Sequence, residues 1–196
     1  MTGANMKNIY VFLFVLFITG CALSPQVVVV NPELKMDANV TVAKPTTISV
    51  EVVDTRSSPI IGQRGGVYAE TSNISTDDNM TATLEKKVST AFSEMGYKVA
   101  KKGEAADAGL TVRIIDVHYV TKTEKKVLKN IETKLGLQAV CKKNGKEFTG
   151  DYSATRKKDL IKVPSMQENE QLVNEVFAVV LNSMLKDKEL ITFIDG

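Results

Sequence analysis

The stretch "LKNIETKLGLQAVCKK", ending at Lys143, restricts the fold more than any other part of the chain. Ile131, Thr133, Leu135, Leu137, Ala139 and Cys141 alternate with mostly polar residues. Side chains point to opposite faces along a strand, so this period predicts a long strand with one dry face and one wet face. Asn144-Gly145 follows, the pair that most readily adopts the positive φ angles of a two-residue hairpin turn. The next residues, "KEFTGDYSATRKK", read as the returning strand. A long hairpin with one apolar face needs a covering layer.

Two helical patterns supply that cover. Met80, Leu84, Val88, Ala91, Phe92 and Met95 recur at helical spacing, with capping residues at Ser75–Asp78 and a glycine stop at Gly96. Ser165 and Glu168 form the S-x-x-E capping box ahead of a wide stripe, Leu172, Val173, Val176, Phe177, Val180, Leu181, Met184 and Leu185. Lys186 and Lys188 near its end suit the helix dipole. "TTISVEVVDTR" predicts a buried strand closed by a turn at "RSSP", and "LTVRIIDVHYV", apolar on both parities, predicts a central strand. Val27–Val30 reads as an edge strand that docks on the sheet. The expected fold is α+β, a two-layer sandwich whose largely antiparallel sheet is covered on one face by two long helices.

The beginning of the chain carries a different signal. Ile9 to Ile18 is a run of ten apolar or aromatic residues, about 15 Å as a helix and too short for a bilayer span of roughly 20 residues. With Lys7 before it and small residues after it, the run has the layout of a secretory signal, and Met6 offers a second start. Ile18-Thr19-Gly20-Cys21 resembles the lipobox of bacterial lipoproteins. That resemblance implies signal-peptidase recognition through Ile18, Thr19 and Gly20, and acyl chains, palmitate among them, on Cys21. Each buried CH₂ contributes about 0.8 kcal/mol, so several chains anchor stably. Residue 22 is Ala, not the Asp that resembles an inner-membrane retention signal. The expectation is an outer-membrane location facing the periplasm. The organisation is then a signal peptide over 1–20, a lipidated spacer over 21–45 and one α+β periplasmic domain over 46–196, a length that buries a single core.

In this order the segments resemble the YajG family of uncharacterised bacterial lipoproteins. The resemblance rests on the lipobox, Val53-Asp54-Thr55-Arg56, "MGYKV", "NGKEF" with "DYSA", and "VNEVFAVVLNSMLKDKELITFI". It implies an envelope lipoprotein of unknown role and brings no catalytic residues.

The residues themselves argue against an enzyme. His118 is the only histidine and only two cysteines exist, so neither a histidine-rich nor a Cys/His metal site is available. No metal and no cofactor is expected beyond the covalent lipid at Cys21. Cys141 reads as a small buried hydrophobe. "GQRGG" at 62–66 fits no phosphate-binding fingerprint. Ser183 and Lys186 have S-x-x-K spacing without its companion motifs. Asp54 and Arg56 read as a local pair anchoring a turn.

Charge is uneven. Val120–Lys162 carries twelve basic against five acidic residues, whereas Val163–Gly196 carries two against six. A lysine-rich hairpin resists edge-to-edge aggregation. The functional alternative is attraction of an envelope polyanion, peptidoglycan carboxylate or lipopolysaccharide phosphate, to Lys142, Lys143 and Lys146; compartment disfavours nucleic acid. The expected function is a non-catalytic binding or structural domain, tied to the membrane through its lipid and presented to an envelope protein or peptidoglycan. The alternatives are a periplasmic hydrolase of glycan or peptide, and a lipid or glycolipid carrier.

Overall fold

The computed structural model describes residues 24–35, 46–65, 70–123 and 129–196. Among these, the strands are β1 (Gln26–Val28), β2 (Thr47–Asp54), β3 (Ile60–Gln63), β4 (Asn73–Thr76), β5 (Lys98–Val99), β6 (Ala108–Thr123), β7 (Lys129–Lys143) and β8 (Lys146–Leu160). The α-helices are α1 (Met80–Glu94), α2 (Met166–Leu185) and α3 (Lys188–Asp195).

The frame is the ladder β6–β7–β8, paired antiparallel along nearly its whole length. The β7–β8 turn is Asn144-Gly145, at φ 51° and 73°. Along its other edge β6 carries two strands in series. Its first half pairs parallel with β2 from Ile48↔Ala108 to Asp54↔Ile114, and further along Tyr119 pairs parallel with Gly62 of β3. β2 also pairs parallel with β5, β3 antiparallel with β4, and β4 parallel with β1.

This corrects the expected architecture. The sheet is mixed α/β, with parallel pairing at β1/β4, β2/β5, β2/β6 and β3/β6, and the helices number three among the described residues rather than two. The reason is one of length. β1, β3, β4 and β5 are two to four residues long, too short to show a period, whereas the hairpin announces itself through alternation and a turn.

The two-parity pattern of β6 also has a local cause. The register shifts between Ile114 and Asp116. Before the shift Ala108, Leu110, Val112 and Ile114 are buried; after it Val117 and Tyr119 are, while Ile115 is exposed. A β-bulge has moved the core from even to odd positions. Opposite it, Gly136 leaves room for the Asp116 side chain, whose carboxylate a Cβ would strike.

The helices cover the buried face. All eight apolar residues of the α2 stripe are 3% exposed or less, so the stripe is consumed as core. The capping box is complete: Glu168 N–H donates to Ser165 Oγ (3.2 Å), and Ser165 N–H to Glu168 Oε2 (2.7 Å). The short α3 is fastened at both ends. Tyr152 of β8 donates to its N-cap Asp187 (2.5 Å), and Tyr97 donates to Asp195 (2.8 Å). Phe148 packs on Phe193 with ring centroids 5.9 Å apart.

β3 meets β6 so closely that a Cβ on Gly62 would collide with the Tyr119 carbonyl. Gly62→Ala is therefore expected to part the two strands and lower stability by about 1–3 kcal/mol, read by thermal unfolding. Gly109→Ala, which meets only Ser49 Oγ at 3.4 Å, is expected to be near neutral in the same assay.

Candidate functional site

The most unusual part of the molecule is the extended chain that continues from β1 to Lys35. Val28 and Val30 are fully buried and Leu34 packs on the core, so this strap belongs to the domain. Among the described residues its backbone beyond β1 has no strand partner, and side chains satisfy it instead.

On one side, Asp77 at the corner between β4 and α1 accepts Val30 N–H (2.8 Å), while its own N–H donates to Val28 O (3.0 Å). Asp77 lies in the segment expected to cap α1, but the N-cap is Asn79, which makes no side-chain cap bond; the second oxygen of Asp77 receives Asn79 N–H (2.9 Å). On the other side stands a row on α2. Val29 N–H donates to Glu170 (3.3 Å), Asn31 N–H to Asn174 Oδ1 (2.7 Å) and Lys35 N–H to Asn182 Oδ1 (3.0 Å), and Asn174 Nδ2 returns a bond to Val29 O (2.9 Å). Two extended residues advance about 6.6 Å and four helical residues about 6 Å. The strap and the helix therefore stay in register, rung by rung. The row Glu170, Asn174, Ala178, Asn182 was visible as an i, i+4 series in the sequence, but it carries meaning only once an unpaired backbone lies beside it. Grooves of about 760 and 700 Å³ flank the strap, the first against Thr83, Lys87 and Glu94 of α1, the second against Arg156 and the α2 row.

A buried polar lock holds the strap where it enters. Tyr119 donates to Asn169 Oδ1 (2.5 Å), and Asn169 Nδ2 donates to Gln26 Oε1 (2.6 Å). Arg64, nearly buried, donates to Ser24 O. Burial pushes the Tyr119 phenol up to about 12, which keeps it a donor. Neither Asn169 nor Arg64 carries a sequence pattern that marks it.

The residues singled out by sequence fall in several places. Cys21, Ile18, Thr19 and Gly20 lie outside the described residues. Lys142 pairs with Glu147 (3.4 Å), and Lys143 donates to Ile194 O at the end of α3 (2.5 Å). Lys146 begins β8 and is exposed. His118 is largely exposed, 3.6 Å from Asp116, which also meets Lys134 at 3.1 Å. Ser183 Oγ is spent on Val179 O (3.0 Å). Cys141 is buried, and burial pushes its thiol up to about 11 although Lys143 draws it down; a thiol at that value is a poor nucleophile. Among the described residues no cluster of three or more His, Cys, Asp or Glu is placed to hold a metal.

Arg56 does pair locally, forking onto Asp54 at 2.8 and 2.7 Å. It also reaches Thr76 Oγ1 (3.0 Å), so the pair joins the end of β2 to the end of β4. Burial works against the Asp54 carboxylate, but the bonds and charge of Arg56 outweigh it and the value falls below the ordinary 3.8.

Residues 32–195 match a family described as uncharacterised lipoprotein. The chain belongs to that family of lipoproteins. No curated protein matches the lipoprotein by sequence. A crystal structure of a Xanthomonas campestris protein is similar to it at TM-score 0.59 and 13% identity, covering 86% of this chain and 96% of that one; the likeness is one of fold. A minor lipoprotein from Acinetobacter baumannii follows at TM-score 0.40 and 12% identity, covering 76% and 90%. An uncharacterised lipoprotein from Nitrosomonas europaea stands at 0.45 and 10%, covering 82% and 93%.

Two predictions follow from the lipoprotein's lock and from its ion pair. Asn169→Ala removes both side-chain bonds and is expected to cost about 1–3 kcal/mol, with faster amide exchange at residues 26–30 than in a β7 control segment. The depressed Asp54 value contributes stability above the unfolded carboxylate value that is lost as pH falls through the folded one. Asp54→Asn is therefore expected to be less stable than the parent in urea at neutral pH, and the gap to shrink below about pH 4.

Proposed function

We propose that this lipoprotein is anchored in the outer membrane by acyl chains on Cys21, with its domain in the periplasm acting as a non-catalytic binding or structural module. The observation that carries the reading is the strap. Gln26, clamped by the Asn169 side chain at the start of β1, lies five residues after the lipobox cysteine. Five residues span at most about 17 Å. A cysteine acylated there holds the domain close to the bilayer and in a set direction, as befits a protein whose work is to present a surface.

The lipobox and the order of the later segments, which resemble the YajG lipoproteins, support the same reading. Envelope protein or peptidoglycan is the class of partner that such a position offers. Lys142, Lys143 and Lys146 lie at the end of the β7–β8 ladder far from Gln26, since β7 and β8 run the length of the sheet between them. A polyanion bound there would be met by the membrane-distal tip.

The test is metabolic labelling with an alkyne palmitate analogue, followed by density separation of the two membranes. The expected result is label on the parent protein in the outer-membrane fraction and none on Cys21→Ser. Label that persists on Cys21→Ser, or a parent protein recovered without membrane, would overturn the proposal.

A further inference from the structure

The end of the domain at which the chain enters gathers exposed apolar and basic side chains. The strand registers bring to that end the start of β1, the end of β6, the start of β7 and the end of β8, and the Asn169–Gln26 bond brings the start of α2 there as well. The β8–α2 connection at this end exposes Ile161 (76%), Val163 (43%) and Met166 (41%). Three large apolar side chains within six residues have no core to cover. The strand registers bring Lys122, Lys157 and Lys158 to the same end, and Lys162 lies within the connection itself. Among the described residues the acids at this end are Glu132, which meets Lys157 (3.5 Å), Asp159, which accepts from Asn130 (2.7 Å), Glu168, which serves the α2 cap (2.7 Å) and meets Lys162 at 3.6 Å, and Glu170, which accepts from Val29 N–H (3.3 Å). Lys122 and Lys158 stand outside these ion pairs and are the cations left to meet an anion.

We propose that this end is a membrane-docking surface for anionic phospholipid headgroups, with Ile161, Val163 and Met166 entering the headgroup layer and the surrounding cations meeting lipid phosphates. The proposal rests on the anchor at Cys21. Charge complementarity selects the occupant, since lysine ammonium groups on long apolar stems suit the boundary between phosphate and acyl chain. The point of chain entry selects the place, because a lipid within about 17 Å of Gln26 leaves this end as the one that faces the bilayer. The basic hairpin thus divides into two ends about 45 Å apart, the length of β8, of which the anchor-side end is turned to lipid.

The experiment uses the full lipidated chain in vesicles, labelled with an environment-sensitive fluorophore at Ile161→Cys or, as the distal control, Lys146→Cys. The vesicles contain phosphatidylglycerol or consist of phosphatidylcholine alone, each with brominated acyl chains as quencher. The expected result is quenching several-fold stronger at 161 than at 146 in phosphatidylglycerol, reduced by salt, and lost to the level of 146 when Lys158→Glu and Lys162→Glu are combined. Equal quenching at the two sites, or quenching at 161 indifferent to lipid charge, overturns docking. A signal at 161 that follows protein density rather than lipid charge assigns the surface to a second copy and overturns it too. Co-flotation reads the anchor separately. A chain that floats with neither lipid lacks the anchor and removes the proposal with it, whereas a floating chain without selective quenching removes docking alone.

Discussion

Strand β6 has to serve three neighbours, and the bulge at Ile114–Asp116 is what lets it do so. One edge is committed throughout to β7; the other is shared between β2 and β3, which follow one another along it. A strand of regular pleat would carry its apolar residues on one parity from end to end. The bulge changes that parity midway and adds local twist, so each half presents its own dry face to the same layer of helices. The Asp54–Arg56 fork sits where β2 hands over to the chain leading into β3, and its tie to Thr76 closes the corner that the handover opens.

The same requirement governs the strap. Extended backbone packed on a domain must have its N–H and C=O groups satisfied. Between Val28 and Lys35 the sheet cannot do this, so Asp77, Glu170, Asn174 and Asn182 do. Asn174, which both accepts and donates, offers the strap what a neighbouring strand would offer. α2 consequently has two working faces: an apolar stripe buried against the sheet, and a polar row that stands in for a sheet edge.

Much of this was legible in advance for a physical reason. Long elements repeat their signal. The β7–β8 alternation, the Asn144-Gly145 turn, the Ser165–Glu168 box and the two helical stripes each state one structure several times over. The short strands state theirs once, and a parallel pairing between segments as far apart as β2 and β6 leaves no local mark. The lock residues were hidden differently. Asn169 lies beside the apolar stripe as one polar residue among several, and nothing local distinguishes a buried amide from a solvated one until Tyr119 and Gln26 are brought to it. The lysines differ again: Lys142, Lys143 and Lys146 sit together at the β7–β8 turn, but the partners of the first two, Glu147 and the Ile194 carbonyl, are not announced by the sequence.

The strap's direction has a mechanical side. Its residues and those of α2 rise together, Val29 with Glu170 through Lys35 with Asn182, so the two axes lie side by side and point the same way. Tension applied at the beginning of the strap acts along that axis. The rungs are then sheared in parallel and share the load, instead of peeling open one after another like a zipper. A connection built this way resists force through the number of bonds loaded at once rather than through the strength of any single one.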